Sequence, residues 1–283
     1  MGTSEHQKRA FPQMANPQDD SKTLDSAQVR EQFAKKLKED NFVLYSQLIA
    51  PAAADSTEQP LREILARYRE EEENLLPPGS FLPILEDQGL LPLLDRWIVT
   101  RVLGWGRMVR SGGHTMPRCS VNLSIDTIRR DDSFVEYVLQ SLKRAGVPGS
   151  ALTFEVMTVE AMANRPALQR FVPPLRNAGI TFALSWFSGN EAEFELARKG
   201  GFAYAKLDGG FAAVVARQEA KRKELAGIVQ GCRILGMQTI CMQVEDDDAL
   251  EQLRQLGVDY VQGFGIERPK PLEPSKSASS STS

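Results

Sequence analysis

Glu63, Asn122, Glu155 and Lys206 stand at or near the ends of four separate β-rich runs of this sequence. Two carboxylates, an amide and an ammonium brought to one place can bind and orient a polar ligand, which a purely structural rim does not require. Arg67 and Gln262 extend the set, and a guanidinium suits phosphate because its fork of N–H donors matches paired oxygens. Ser185, Trp186, Asp208, Met242 and Gln243 occupy further strand ends. Residues two apart on a strand share a face, so Glu63, Leu65 and Arg67 are expected to point one way, as are Lys206 and Asp208. Each group also has a structural use. An unpaired buried ammonium is costly, so Lys206 needs a partner, and Glu155 is the expected one. Asn122 can cap the next turn, Glu63 and Arg67 can pair across one strand face, and Trp186 can fill the core.

The elements that must position these residues are short and regular. The β-rich runs FVLYSQLI, PLREILARY, RCSVNLS, ALTFEVM, ITFALSW, FAYAKLD, MQTICMQ and DYVQG each precede a helical pattern. That alternation makes roughly eight βα units, the count of a closed (β/α)8 barrel. The segment SFVEYVLQSLKRAG opens at Ser133, a capping residue, and Gly146, Gly179, Gly200, Gly236 and Gly257 are placed to close helices before the later strands. An open doubly wound sheet has the same alternation, but no G-x-G-x-x-G follows the first strand, which weakens its dinucleotide-binding form. In a barrel the working residues come from the carboxyl ends of the strands, where the residues above fall.

Composition narrows the rest. A chain of 283 residues with 42% apolar and 25% charged residues can bury a sizeable core. The net charge of −3, with both signs dispersed, offers no basic stripe for DNA or RNA. Three cysteines in apolar contexts suggest buried thiols in a reducing compartment. The stretch from Leu90 to Trp105 is too short and too charged to span a bilayer and reads as a packed helix, and the amino terminus lacks the apolar core of a secretory signal. A cytoplasmic protein without membrane association is expected. Residues 1–22 and 273–283 read as mobile tails, with the barrel domain over 23–272 and a helix starting after Asp25. The run REEEEN is expected to be a solvated hairpin edge, and the glycines of RSGGH a turn. His6 and His114 are the only histidines, too few for a His-rich metal site.

Several of these segments resemble one family in order and spacing over about residues 25 to 272. EILARY at Glu63–Tyr68 is similar to the E-A-L-x-R-W signature of the bacterial EAL domain, and SVNLS at Ser120–Ser124 matches that family outright. FLPILEDQGLL resembles F-I-P-L-A-E-x-x-G-L, FEVM resembles L-E-I-T, KLD resembles K-I-D, and YVQGFGIERP resembles Y-V-Q-G-Y-L-F-S-R-P. The resemblance implies a single (β/α)8 TIM-like barrel of the EAL type and a family chemistry in which two divalent metals activate water to hydrolyse cyclic di-GMP. By that resemblance Glu63, Asn122 and Glu155 correspond to metal ligands and Lys206 to the lysine that orients the water. Leu65 and Arg67 correspond to dinucleotide contacts, and Gln262 to a glutamine near the site.

The departures fall at the centre of that chemistry. Where the family has D-D-F-G-T-G this chain has SWFSGN, so Ser185 and Trp186 replace two metal-binding aspartates. Met242 and Gln243 stand in place of the acid and glycine of A-E-G-V-E, and Thr158 replaces the second acid of E-I-T-E. Hard cations demand several oxygens, preferably charged, so no metal site and no catalytic residue are expected. The resemblance then implies a catalytically inactive cyclic di-GMP receptor that acts as a regulatory module in bacterial circuits for motility, pili or biofilm. Its ligand set is Glu63, Leu65, Arg67, Asn122, Glu155, Lys206, Asp208 and Gln262, with a protein partner besides and no cofactor. One alternative is a protein-interaction module that has dropped the dinucleotide; another is a weak phosphodiesterase, the one reading that requires Mg2+.

Overall fold

The computed structural model describes residues 26–39, 41–69 and 75–272. The expected tails and most of the acidic run REEEEN lie outside the described residues. The eight runs read as strands are all strands: β1 (Phe42–Pro51), β2 (Leu61–Arg69), β4 (Arg118–Asn122), β5 (Leu152–Met157), β6 (Thr181–Phe187), β7 (Tyr204–Leu207), β8 (Gln238–Cys241) and β9 (Tyr260–Val261). They pair in the order β1-β9-β8-β7-β6-β5-β4-β2, and β2 returns to β1, so the sheet closes into a barrel. Two short strands, β3 (Leu75–Leu76) and β10 (Lys270–Pro271), add outside it on β2 and β1.

Strict alternation of strand and helix fails at the first connection. β1 runs antiparallel to both β2 and β9, whereas the other neighbours are parallel. Antiparallel strands need no crossover helix, and residues 52–60 return the chain directly. The reversal aligns Gln47 with Glu63 and Ile49 with Leu61, so β1 presents the early part of its length to the end where the parallel strands finish.

Helices jacket the barrel: α1 (Ser26–Lys38), α2 (Pro78–Asp87), α3 (Leu91–Ser111), α4 (Ile125–Arg130), α5 (Phe134–Ala145), α6 (Thr158–Ala163), α7 (Arg165–Asn177), α8 (Glu191–Gly200), α9 (Gly210–Val214), α10 (Glu219–Ile234) and α11 (Asp247–Gln255). α3 is the packed helix expected from the length and charges of the stretch from Leu90 to Trp105, with Leu94, Ile98, Val99, Val102 and Leu103 at helical spacing on its buried face. Among the described residues no helix is long and apolar enough to cross a membrane. The Ser124, Asn190 and Asp246 side chains cap α4, α8 and α11 by accepting from Thr127, Glu193 and Ala249 backbone N–H groups. Ser133 does not cap α5 as expected; its hydroxyl donates to Asp131 and accepts from Arg96. α8 closes at Gly201 (φ 68°) rather than Gly200, because only a residue at positive φ turns the chain out of the helix there.

Apolar side chains form two layers. The larger lies between barrel and helices, where Phe134, Phe154, Phe171 and Phe182 meet ring to ring. The smaller fills the closed end of the lumen with Ile49, Leu61, Ala183, Tyr204, Ile240 and Tyr260. Cys119, Cys232 and Cys241 are buried free thiols, and burial pushes each up to about 12, so they are packing residues without nucleophilic character.

Candidate ligand site at the barrel mouth

Alternation along the strands builds the site. Leu61 and Glu63 face the lumen from β2 while Ile64, Ala66 and Tyr68 pack under the helices, which leaves Leu65 and Arg67 on the lumen face nearer the mouth. Register sets Gln47 and Ser120 on either side of Glu63, and Asn122 beside Glu155.

At the centre lies Lys206, whose Nζ is 2.8 Å from Glu63 Oε2 and 3.0 Å from Glu155 Oε2. Asn122 Nδ2 donates to Glu63 Oε1 at 2.8 Å, and Gln262 Nε2 donates to Glu63 Oε2 at 2.7 Å. Ser120 Oγ donates to Glu155 Oε1 at 2.6 Å, and Gln47 Oε1 accepts a second Gln262 bond at 3.1 Å. Both carboxylates are therefore fully engaged, and among the described residues no buried side-chain nitrogen or oxygen lacks a partner. The predicted Lys206–Glu155 pair is present, with Glu63 as a second partner of the lysine in place of the alternative Glu63–Arg67 pair. Asn122 serves Glu63 and does not cap the next turn; Ser124 does that.

Two carboxylates and one ammonium leave one negative charge unmatched in a buried place. Burial works against the Lys206 charge, but the two glutamates outweigh it and hold the ammonium above its usual range. For Glu63 burial is likewise the largest influence, yet Lys206 and the Gln262 and Asn122 donors together pull it below the ordinary carboxylate value. Glu155 goes the other way: burial, reinforced by the Glu63 charge, raises it despite Lys206. Shared between two acids, one cation separates their titrations.

Nearer solvent the residues are less constrained. Arg67 is half-buried, with its Nη1 donating to the Ala66 carbonyl at 3.0 Å and its guanidinium 5.8 Å from the Tyr45 ring, which leaves donors for a ligand. Leu65 is half-buried beside it. Asp208 is exposed, and its Oδ1 accepts from the Gly210 N–H at 2.9 Å, so it is used at the entry to α9 and lies apart from the lysine cluster. Ser185 is buried, and its carbonyl accepts from Thr158 Oγ1 at 2.7 Å. Trp186 does not take up the structural use open to it, filling the core: it is 50% exposed. It and Gln243 are the non-glycine residues with positive φ among those described, at 57° and 58°, on the mouth ends of β6 and β8. Each such residue costs about 1–2 kcal/mol of backbone strain.

The sequence reading missed Gln47, Ser120 and the pair formed by Phe264 and Arg268. Ser120 is two residues before Asn122 on one strand face, a usable signal. Gln47 needed the reversed direction of β1. Phe264, 54% exposed just beyond β9, carries the Arg268 guanidinium 4.8 Å from its ring, a contact that emerges only when the turn folds.

The donor set does not fit a pair of divalent cations. Among the described residues no three His, Cys, Asp or Glu side chains gather to hold a metal, and the Lys206 ammonium already lies between the two glutamates. Ser185 offers one neutral oxygen; Trp186 and Met242 offer none suited to a hard cation.

Comparison with known proteins agrees with this architecture. A family model described as the EAL domain matches residues 30–269. The cyclic di-GMP phosphodiesterase PdeB of Shewanella oneidensis is 28% identical over 240 residues, covering 84% of this chain and 28% of that protein. The chain spans about a third or less of the curated relatives it matches first, 28%, 32% and 31% of their lengths. Among solved structures, the Xanthomonas citri FimX EAL domain in complex with cyclic di-GMP superposes with a TM-score of 0.78 at 23% identity, over 86% of this chain and 94% of that one. The PaMucR phosphodiesterase in its cyclic di-GMP complex gives 0.76 at 25% identity, over 85% and 96%.

Proposed function

Because this chain belongs to the EAL domain family, we propose that its barrel mouth binds cyclic di-GMP without hydrolysing it and that the protein acts as a regulatory receptor. The observation that carries the reading is the seating of Lys206 between Glu63 and Glu155. That arrangement places a cation of the chain's own between the two carboxylates, while Arg67 keeps free N–H groups at the rim. Phosphodiester hydrolysis by the two-metal route needs cations that polarise the phosphate and lower the pKa of the attacking water. Ser185, Trp186 and Met242 cannot replace the charged oxygens such cations require. Binding alone needs less: a guanidinium for phosphate, apolar surface for the bases and amide groups for their edges. Leu65, Arg67 and the exposed Asn122 supply these, with the Glu63–Lys206–Glu155–Gln262 network as a rigid floor. Asp208 belongs to the set only as a rim residue. The cyclic dinucleotide is the partner, a cytoplasmic bacterial protein is the setting, and a protein that reads the bound state completes the role.

Calorimetric titration of cyclic di-GMP with Mg2+ and with chelator tests the proposal. Micromolar or tighter binding, equal in both conditions and lost in Arg67→Ala, with no linear dinucleotide formed over hours in Mg2+ or Mn2+, is the expected result. Turnover in Mg2+ overturns the inactive receptor. Absence of heat at high protein concentration overturns binding and leaves the barrel as a docking surface for a protein.

A further inference from the structure

We propose that Trp186 is a stacking platform for one guanine base of the cyclic dinucleotide, an inference that rests on the receptor reading above. The argument starts from strand parity. Ala183 faces the lumen, whereas Leu184 and Phe187 lie in the layer beneath the helices. Simple alternation from Leu184 would turn Phe187 inward. The pairing of β6 with β7 slips between Ser185, opposite Lys206, and Phe187, opposite Leu207, so Trp186 is the extra residue of a β-bulge. The bulge returns Phe187 to the outer layer, where its ring meets Phe194 at 5.3 Å, and Trp186 at the bulge stays half exposed.

This geometry accounts for a large apolar side chain that is half exposed at the mouth end of β6. Its backbone is fixed at φ 57° between two anchored neighbours, Ser185 held by Thr158 and Phe187 held in the core. A rigid aromatic loses little entropy when a ring stacks on it. Across the β5–β6 pairing, Met157 is the partner of Ser185, and Met157 and Val159 are 41% and 67% exposed, so the neighbouring strand end also carries exposed apolar side chains. Every nucleobase has an apolar face of the size of an indole, and its attached phosphate needs cations. The β6 edge supplies the first. Arg67 on β2, three strand spacings away or roughly 14 Å along the sheet, supplies the second.

Intrinsic fluorescence and calorimetry on the full chain test this directly. The other two tryptophans, Trp97 and Trp105, are both in α3, one donating to the Leu37 carbonyl and the other 8% exposed, so a ligand at the mouth reports through Trp186. Cyclic di-GMP is expected to quench the wild-type emission with the calorimetric midpoint, and the quench should vanish in Trp186→Phe while binding stays within a few fold. Trp186→Gly, which relieves the positive φ and should melt no lower than wild type, is expected to bind roughly 5- to 150-fold more weakly, the range found for loss of one base–aromatic stack. Wild-type affinity in Trp186→Gly, with Arg67→Ala still disruptive, overturns the stack and leaves the receptor reading intact. Binding with no quench also overturns it. Absence of binding to wild type removes both.

Discussion

Replacing Lys206 by methionine removes the one cation from a cluster that is otherwise acid and amide. The lysine side chain is 2% exposed, and its partners Glu155 and Glu63 are 1% and 11% exposed, so solvent cannot supply the missing charge. Removing one partner of a buried pair costs about 3–5 kcal/mol, because the other charge stays behind without compensation. At about 2–4 °C per kcal/mol for a domain near 250 residues, the melting midpoint at pH 7 should fall by roughly 6–20 °C. The pH dependence separates this cause from a packing defect. In wild type Glu63 sits below its ordinary value, so its contribution is present near neutrality and lost as pH falls through that lowered value. Without Lys206, burial is opposed only by the Gln262, Asn122 and Ser120 donors, so both glutamates rise; the variant then gains stability on acidification as they bind protons. The two midpoints should therefore converge between pH 7 and pH 5. Adding Glu155→Gln to Lys206→Met should restore at least half of the loss at pH 7. Thermal melts followed by far-UV circular dichroism measure all three. A single variant within about 2 °C of wild type, or a gap that does not narrow in acid, would refute the reasoning.

Other consequences follow from single residues. Asp95 accepts from the Ser124 N–H and from the Ser124 and Thr127 hydroxyls, yet burial outweighs these donors and raises it to about 6. Its folded value lies above the unfolded one, so its protonation stabilises below about pH 4 and that contribution, about 3 kcal/mol, is lost as pH rises through 6; urea titrations should show the slope, and Asp95→Asn should flatten it. A Cβ at Gly263 would lie 2.1 Å from the Val244 carbonyl oxygen and 2.3 Å from its nitrogen, so Gly263→Ala should destabilise by at least about 1–3 kcal/mol in chemical denaturation. Gln243→Gly relieves a φ of 58° and should raise the melting midpoint by about 2–4 °C; a lower midpoint would show that the Gln243 side chain over Gly209 contributes more than the strain costs.

Periodicity and terminal glycines were enough to locate the eight barrel strands, because each βα unit carries its own local signals. The reversed β1 was not legible that way, since periodicity carries no strand direction, and β1 is placed both by its neighbour β2 and by partners over 200 residues downstream, as in the Gln47 bond to Glu267. Lys206 and Glu155 could be paired from sequence because a buried ammonium has few candidate partners in the lumen. The Glu63 partner could not, because Arg67 is close along the strand whereas Lys206 is close only across the closed barrel. The exposure of Trp186 is not legible in the sequence for a related reason. Bulk and apolarity argue for burial, but a bulge one residue long decides which face a side chain meets, and bulges leave no reliable mark in a single sequence.

The polar floor and the rim carry different weight in an argument about function. Glu63, Glu155, Lys206 and Gln262 satisfy one another, so folding alone accounts for their arrangement whether or not a ligand binds. Arg67 and Trp186 have no comparable structural duty. Arg67 makes one backbone bond and faces one ring, and Trp186 holds a strained backbone with half its surface in water. Strain and exposure of this kind are costs to the free protein, and residues that bear them are where a bound partner returns stability. A reading of the mouth as a receptor therefore stands or falls on its rim, and substitutions in the floor, which unfold before they inform, test the fold instead.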